Sequence, residues 1–323
     1  MSTTTQTPPS ASPEPRLTGG RSSIGDHLFK GLAVAAGVLI LVVLAGVFIF
    51  LLSEGIPAFL ASPDEIPGKG GILAFIGPLL FGTVFAAVLA LLIATPLSIG
   101  IALFISHFAP RRVAAGLGYF VDLLAAVPSV VYGLWGIFFV APQMALIYPW
   151  FHNNLGFLPF FSQDAAPGGR TMLTAGVVLA VMILPIMTAV NREVFLQTPR
   201  LQEEAALALG ATRFEMIKMT VLPFGKSGMV SGAMLGLGRA MGETIAVAMV
   251  LGGYPQLISL NLIGNQSSST VAANIALKFP EYSGLEVNAL IASGLALFLF
   301  TFLVNFVARW IIARSAEFSG ADA

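Results

Sequence analysis

The feature that most constrains this chain is a stretch of 37 residues, Gly70–Ser106, without one charged side chain. A helix crosses the hydrocarbon of a bilayer with about 20 apolar residues, and runs long enough for that recur six times. They fall at about 31–53, 72–106, 118–140, 172–190, 228–251 and 288–307. The second is too long for one upright helix and too short for two with a turn. Pro96, in Thr95-Pro96-Leu97, is expected to kink it and leave an extension toward His107. Charged residues are 10% of the 323, against about 25% in soluble domains, too few to coat a globule of this size. The expected fold class is all-α, a polytopic membrane protein with six transmembrane helices.

Composition excludes several functions. Sixteen Lys and Arg balance sixteen Asp and Glu, so there is no basic excess for nucleic acid. With no cysteine, disulfides, thiolate metal sites and a Cys nucleophile are out. Nor is there a phosphate-binding loop of the GxxxxGK[ST] kind. The chain is therefore read as non-catalytic and free of any cofactor or metal of its own.

Basic residues set the expected orientation. Twelve lie in the N-terminal segment, at Arg111-Arg112, in the 191–227 loop and at the C-terminus, whereas the alternate loops hold only Lys69, Arg170 and Lys278. Both termini and the 191–227 loop are placed in the cytoplasm of a plasma-membrane protein. Residues 1–23, rich in Ser, Thr and Pro, are expected to form a disordered tail rather than a cleaved signal. The permease domain is bounded at 24–314, with a short tail at 315–323. The outer segments 142–171 and 253–287 read as irregular, with a short amphipathic helix over Val271–Phe279 lying on the outer surface.

Three ionisable residues fall inside the spans: Asp122, Arg239 and Glu243. Asp122 reads as a carboxylate at a helix start, favoured by the dipole. Arg239 and Glu243, four apart, are expected on one helix face. A lone Arg near the bilayer centre costs at least about 2.5–3.5 kcal/mol, part of which a nearby carboxylate would offset. One reading is a pair that locks helices together. The other is a station on an anion path formed by Arg239, Glu243 and Thr244, with Glu243 restraining Arg239. Around them Gly228, Gly232, Gly236 and Ala240 recur every four residues, spacing that lets another helix approach closely.

The 191–227 loop carries two helix-competent blocks, Leu201–Leu209 and Arg213–Val221, separated by Gly210-Ala211-Thr212. Thr212 with Glu215 makes a capping box, and the second helix is expected to end before Pro223. The turn presents small residues, Ala205, Ala206, Ala208 and Gly210, beside Leu207 and Leu209. A helix this short is marginal alone, so it is expected to dock in a groove of another protein.

Glu204-Ala205-Ala206, Gly210 and Leu222-Pro223 resemble the EAA loop of ABC importer permeases, with Thr220 where the pattern usually has Ile. Val127–Gly136 and Gly238–Thr244 are similar to stretches of the phosphate-specific permeases, as are Pro185 and Ala208–Glu215. The N-terminal span, Arg239 and Glu243 resemble the C-type rather than the A-type subunit. The resemblance implies a type I ABC importer permease fold and a coupling helix seated on an ATPase through Glu204, Ala205, Ala206, Leu207, Gly210 and Pro223. It implies as partners an A-type permease, two ATPase subunits that bind ATP and Mg, an extracytoplasmic phosphate-binding protein and membrane lipid. Pro96, Pro128, Ser129, Pro185, Gly232 and Gly236 are candidate hinge or packing points. The alternatives are a permease for sulfate, molybdate or an organic solute, an ion-gradient-driven carrier using Glu243, and a membrane scaffold or signalling protein.

Overall fold

The computed structural model describes residues 24–252, 257–265 and 268–319, without the side chains of Ile24 and 311–319. The expected tail at 1–23, and residues 320–323 of the expected C-terminal tail, lie outside the described residues. The chain divides into two compact units, residues 1–49 and 50–323. Helix α1 (Ile24–Leu60) begins in the first, where side chains such as Leu39 and Leu41 stand exposed, 63% and 67%.

In the second unit α2 (Gly71–Leu103) passes into a π-helical turn at Phe104–Phe108, followed by α3 (Arg111–Ala125). Next come α4 (Ser129–Trp135), a π-turn at Gly136–Val140 and α5 (Ala141–Leu155), which run on as one helix, and then α6 (Met172–Leu196). Helix α7 (Arg200–Ala208) precedes α8 (Arg213–Met216), a π-turn at Ile217–Val221 and α9 (Leu222–Met241). The chain closes with α10 (Ile245–Leu251), α11 (Val271–Lys278) and α12 (Leu285–Ser319). Among the described residues there is no strand. In those residues five helices are long and apolar enough to cross a membrane, and α8–α9 with α10 make a sixth if the pair, bent by 59°, is counted as one span.

Helix α6 is the centre. It packs against α2, α3, α9 and α10, and Leu179, Ala180, Ile183 and Met187 are at most 1% exposed. From α2, Ala86, Ala87, Ala90 and Ala94 are buried, small side chains that let backbones come close where water supplies no driving force.

The structure corrects several expectations. The run 118–140 is not one span: α3 stops at Ala125, Pro128 opens α4, and the membrane-length helix is Ser129–Leu155. Apolar character continues across this corner, but Pro128 disfavours a helical residue before it. Asp122 thus lies in the last turn of α3, exposed, and not at a helix start. Helix α5 fills much of the 142–171 segment expected to be irregular. Helix α2 continues through Pro96 without a break, for about 57 Å counted to Phe108. The helix expected over Val271–Phe279 exists as α11 but does not lie on the surface. Val271 and Ala273 are wholly buried, and the Val271 amide donates to Thr83 Oγ1 of α2 at 3.0 Å. Finally, α12 runs to Ser319, so the segment from 315 begins as helix.

Candidate translocation and coupling sites

The run 228–251 also breaks. Helix α9 ends at Met241, and Gly242-Glu243-Thr244 turn the chain into α10. The break undoes the four-residue spacing on which an Arg239–Glu243 pair depends. Each residue instead serves a helix end. Arg239 stands in the last turn of α9, where the negative end of the dipole favours a cation. Glu243, 8% exposed, accepts the Ala246 amide on Oε1 at 3.1 Å, at the positive end of α10. No ion pair joins the two among the described residues. The buried Nε of Arg239 has no hydrogen-bond partner. Thr244 Oγ1 donates to Gly242 O at 3.2 Å.

The Val127–Gly136 stretch is brought against this break. A β-carbon on Gly133 would lie 3.0 Å from Ala246 Cα and 2.9 Å from Met249 Sδ; on Gly136 it would lie 3.0 Å from Val250 Cγ2. Helices α4 and α10 therefore touch through bare backbone. The Tyr132 phenol donates to Leu124 O at 3.0 Å and ties the corner between α3 and α4. Pro128 supplies the extended N-cap of α4, and Ser129, half-buried, begins it. Segments more than a hundred residues apart thus form one polar break inside an apolar bundle.

Below the break the small-residue ladder of α9 lies along α6. A β-carbon on Gly236 would stand 2.7 Å from Met187 Sδ, and on Gly232 3.1 Å from Asn191 Oδ1. The buried Asn191 amide donates to Ser98 Oγ of α2 at 3.2 Å, so α2, α6 and α9 meet at a polar joint. Pro185, buried, lies inside the unbroken α6.

The loop between α6 and α9 forms a second site. Ala206 is 7% exposed and packs with Phe195, Met216, Ile217, Val221 and Ala102. This corrects the expectation that Ala206 belongs to the presented surface. Glu204, Ala205, Ala208 and Gly210 are exposed, as are Leu207 (41%), Leu209 (89%), Leu201 and Phe214. Gly210 holds φ +88°, a left-handed turn that glycine adopts without penalty. Thr212 Oγ1 accepts from the Glu215 amide, and Glu215 Oε2 accepts from the Thr212 amide at 2.8 Å, completing the capping box. The Thr212 amide, with the Thr212 hydroxyl donating to the same Oε2 at 2.8 Å, holds the Glu215 carboxyl below the usual value. The helix does not end before Pro223. The π-turn at Ile217–Val221 carries it through, with Pro223 in the first turn of α9. His107 Nε2 lies 3.5 Å from Glu203 Oε1, joining the end of α2 to α7.

Residues 94–316 match the family profile of the binding-protein-dependent transport system inner membrane component. The chain belongs to this family. Among relatives of this permease is the phosphate transport system permease protein PstC 2 of Mycobacterium tuberculosis. It is 46% identical over 298 residues, covering 89% of this chain and 91% of that protein. The phosphate transport system permease protein PstC of Mesorhizobium japonicum is 37% identical over 316 residues, 93% of this chain and 94% of that one. Among solved structures, a bacterial ABC transporter involved in the import of the acidic polysaccharide alginate superposes with a TM-score of 0.57 at 15% identity, covering 89% of this chain and 99% of that chain. The fold is that of the ABC importer permeases, and the permease is a multi-pass membrane protein.

Two groups of residues at these sites escaped the sequence reading. The Ser106–His107–Glu203 contact joins residues nearly a hundred positions apart, which no local spacing announces. By its place in the sequence Arg170 is only an outer-loop charge, yet its guanidinium bonds to α10.

Proposed function

We propose that this permease is the C-type subunit of an ATP-driven importer of inorganic phosphate, with Arg239 as the anion's station in transit. The observation that carries the reading is the buried Arg239 Nε without a partner, beside a helix break, while Glu243, the carboxylate expected to pair with it, is committed to α10. A guanidinium matches the oxygens of a tetrahedral oxyanion. One cation without a second gives the modest hold a transit site needs in order to release. The names of the relatives supply phosphate within the oxyanion class. A gradient-driven carrier built on Glu243 fits less well, because that carboxylate already holds the Ala246 amide.

In this reading the basic loops face the cytoplasm with both termini, and α7 with Leu207 and Leu209 seats on an ATPase subunit. Two such subunits bind ATP and Mg and hydrolyse the nucleotide, an A-type permease completes the pore, and a phosphate-binding protein delivers the anion from outside. ATP-driven closure of the ATPases moves α7, and the joints at Gly232, Gly236 and the 242–244 break pass that movement into the bundle. The test is phosphate uptake by vesicles holding the full complex. Uptake is expected to stop on ATP depletion, to persist with an ionophore, and to resist excess sulfate. Collapse with the ionophore and survival without ATP would replace this reading with the gradient-driven one.

A further inference from the structure

Helix α10 has seven residues, too few to be stable alone, and each of its ends leaves backbone groups to be satisfied from elsewhere. At its amide end the Glu243 carboxylate accepts from Ala246. At its carbonyl end a side chain from another part of the chain does the corresponding work. Arg170 donates from Nη2 to Met249 O at 2.7 Å and from Nε to Val250 O at 3.1 Å. A guanidinium across the last carbonyls satisfies two of them and places a cation where the dipole is negative. Gly252, at φ +64°, turns the chain away there, and a β-carbon on it would press within 3.2 Å of Arg170 Nη2.

Arg170 stands on a fixed mount. On one side, Gly169 O accepts from Thr174 Oγ1, a close contact. On the other, Thr171 caps α6, and the fully buried Tyr148 hydroxyl bridges Thr171 Oγ1 at 2.8 Å and Thr174 Oγ1 at 2.5 Å. The neighbouring backbone is pinned too: Leu173 N donates to Leu262 O and Ala166 N to Ile263 O. The clamp on α10 is therefore anchored to the start of the central helix.

We infer that Arg170 is a positioning residue for the anion station: by gripping the carbonyl end of α10 it fixes where Glu243 and Thr244 stand at the break that follows Arg239. The inference rests on the reading of Arg239 as that station. It acts along about 10 Å of helix, so Arg170 need not touch the anion.

The absence of cysteine makes the test direct. In the full complex, Thr244→Cys reports the break through its rate of reaction with a water-soluble thiol reagent. Arg170→Met is expected to change that rate by at least about threefold and to lower maximal phosphate uptake about tenfold, the scale of losing charged hydrogen bonds. Arg170→Lys, which keeps the charge and one bond, is expected to fall between. Gly252→Ala, which presses on the same guanidinium, is expected to shift the labelling rate as well and keeps the test alive if Arg170→Met does not assemble. Labelling unchanged in the variants that assemble overturns the inference, whatever happens to uptake. If labelling shifts while the unsubstituted complex takes up no phosphate, the positioning stands and the station reading falls.

Discussion

Arg239 and Glu243 show how a single break reassigns two residues. A guanidinium in hydrocarbon costs at least about 2.5–3.5 kcal/mol on insertion scales. A helix C-terminus offsets typically 0.3–1 kcal/mol of that, up to about 2 where partly buried. In the proposed reading, what is left favours a visiting anion. The glycines of α9 are just as particular in their roles. Gly236→Val is expected to lower stability by about 1–3 kcal/mol, the range for overpacking, because the added carbon meets Met187 Sδ at 2.7 Å. Gly238→Val, two positions on with nothing within 4 Å of its β-carbon, is expected to be milder. Unfolding of the two purified variants by denaturant titration in detergent checks the contrast, and equal losses would contradict the packing assigned to α9 on α6.

At the scale of the element, the α7–α8 turn is a small structure built from one left-handed glycine, one capping box and one buried alanine. Its order should depend on pH with a definite sign. The folded Glu215 carboxyl titrates below its ordinary value, so its contribution is complete above the ordinary carboxylate pKa and is lost as the pH falls through the lowered one. Amide exchange in α8 is therefore expected to speed up, relative to α6, as the pH drops below the usual carboxylate range. Glu215→Gln should remove that dependence, and a pH profile unaltered by it would exclude the capping carboxylate as the cause. The box itself was legible in the sequence, since Thr212 and Glu215 are local. The inward turn of Ala206 was not, because that depends on Phe195 and Ala102 from other helices.

For the whole molecule, hydropathy marked an apolar run in every long helix but not where each helix ends or breaks. An apolar run records that a segment avoids water, not where its backbone turns, so 118–140 concealed the corner at Pro128 and 228–251 concealed the bend at Gly242-Glu243-Thr244. The residues of the site were visible as the intramembrane charges Arg239 and Glu243. Their relation was not, since a helix assumed to be continuous pairs residues that a broken one parts. Arg170 and His107 act through contacts across the fold, on Met249, Val250 and Glu203, which one-dimensional spacing does not contain. The most direct measurement is ATP-dependent phosphate uptake by proteoliposomes holding the complete complex with Arg239→Gln. Uptake should fall to background while the variant still assembles and its ATPase partner still hydrolyses ATP. Normal uptake by that variant, or failure to assemble at all, would mean that Arg239 serves the bundle and not the anion.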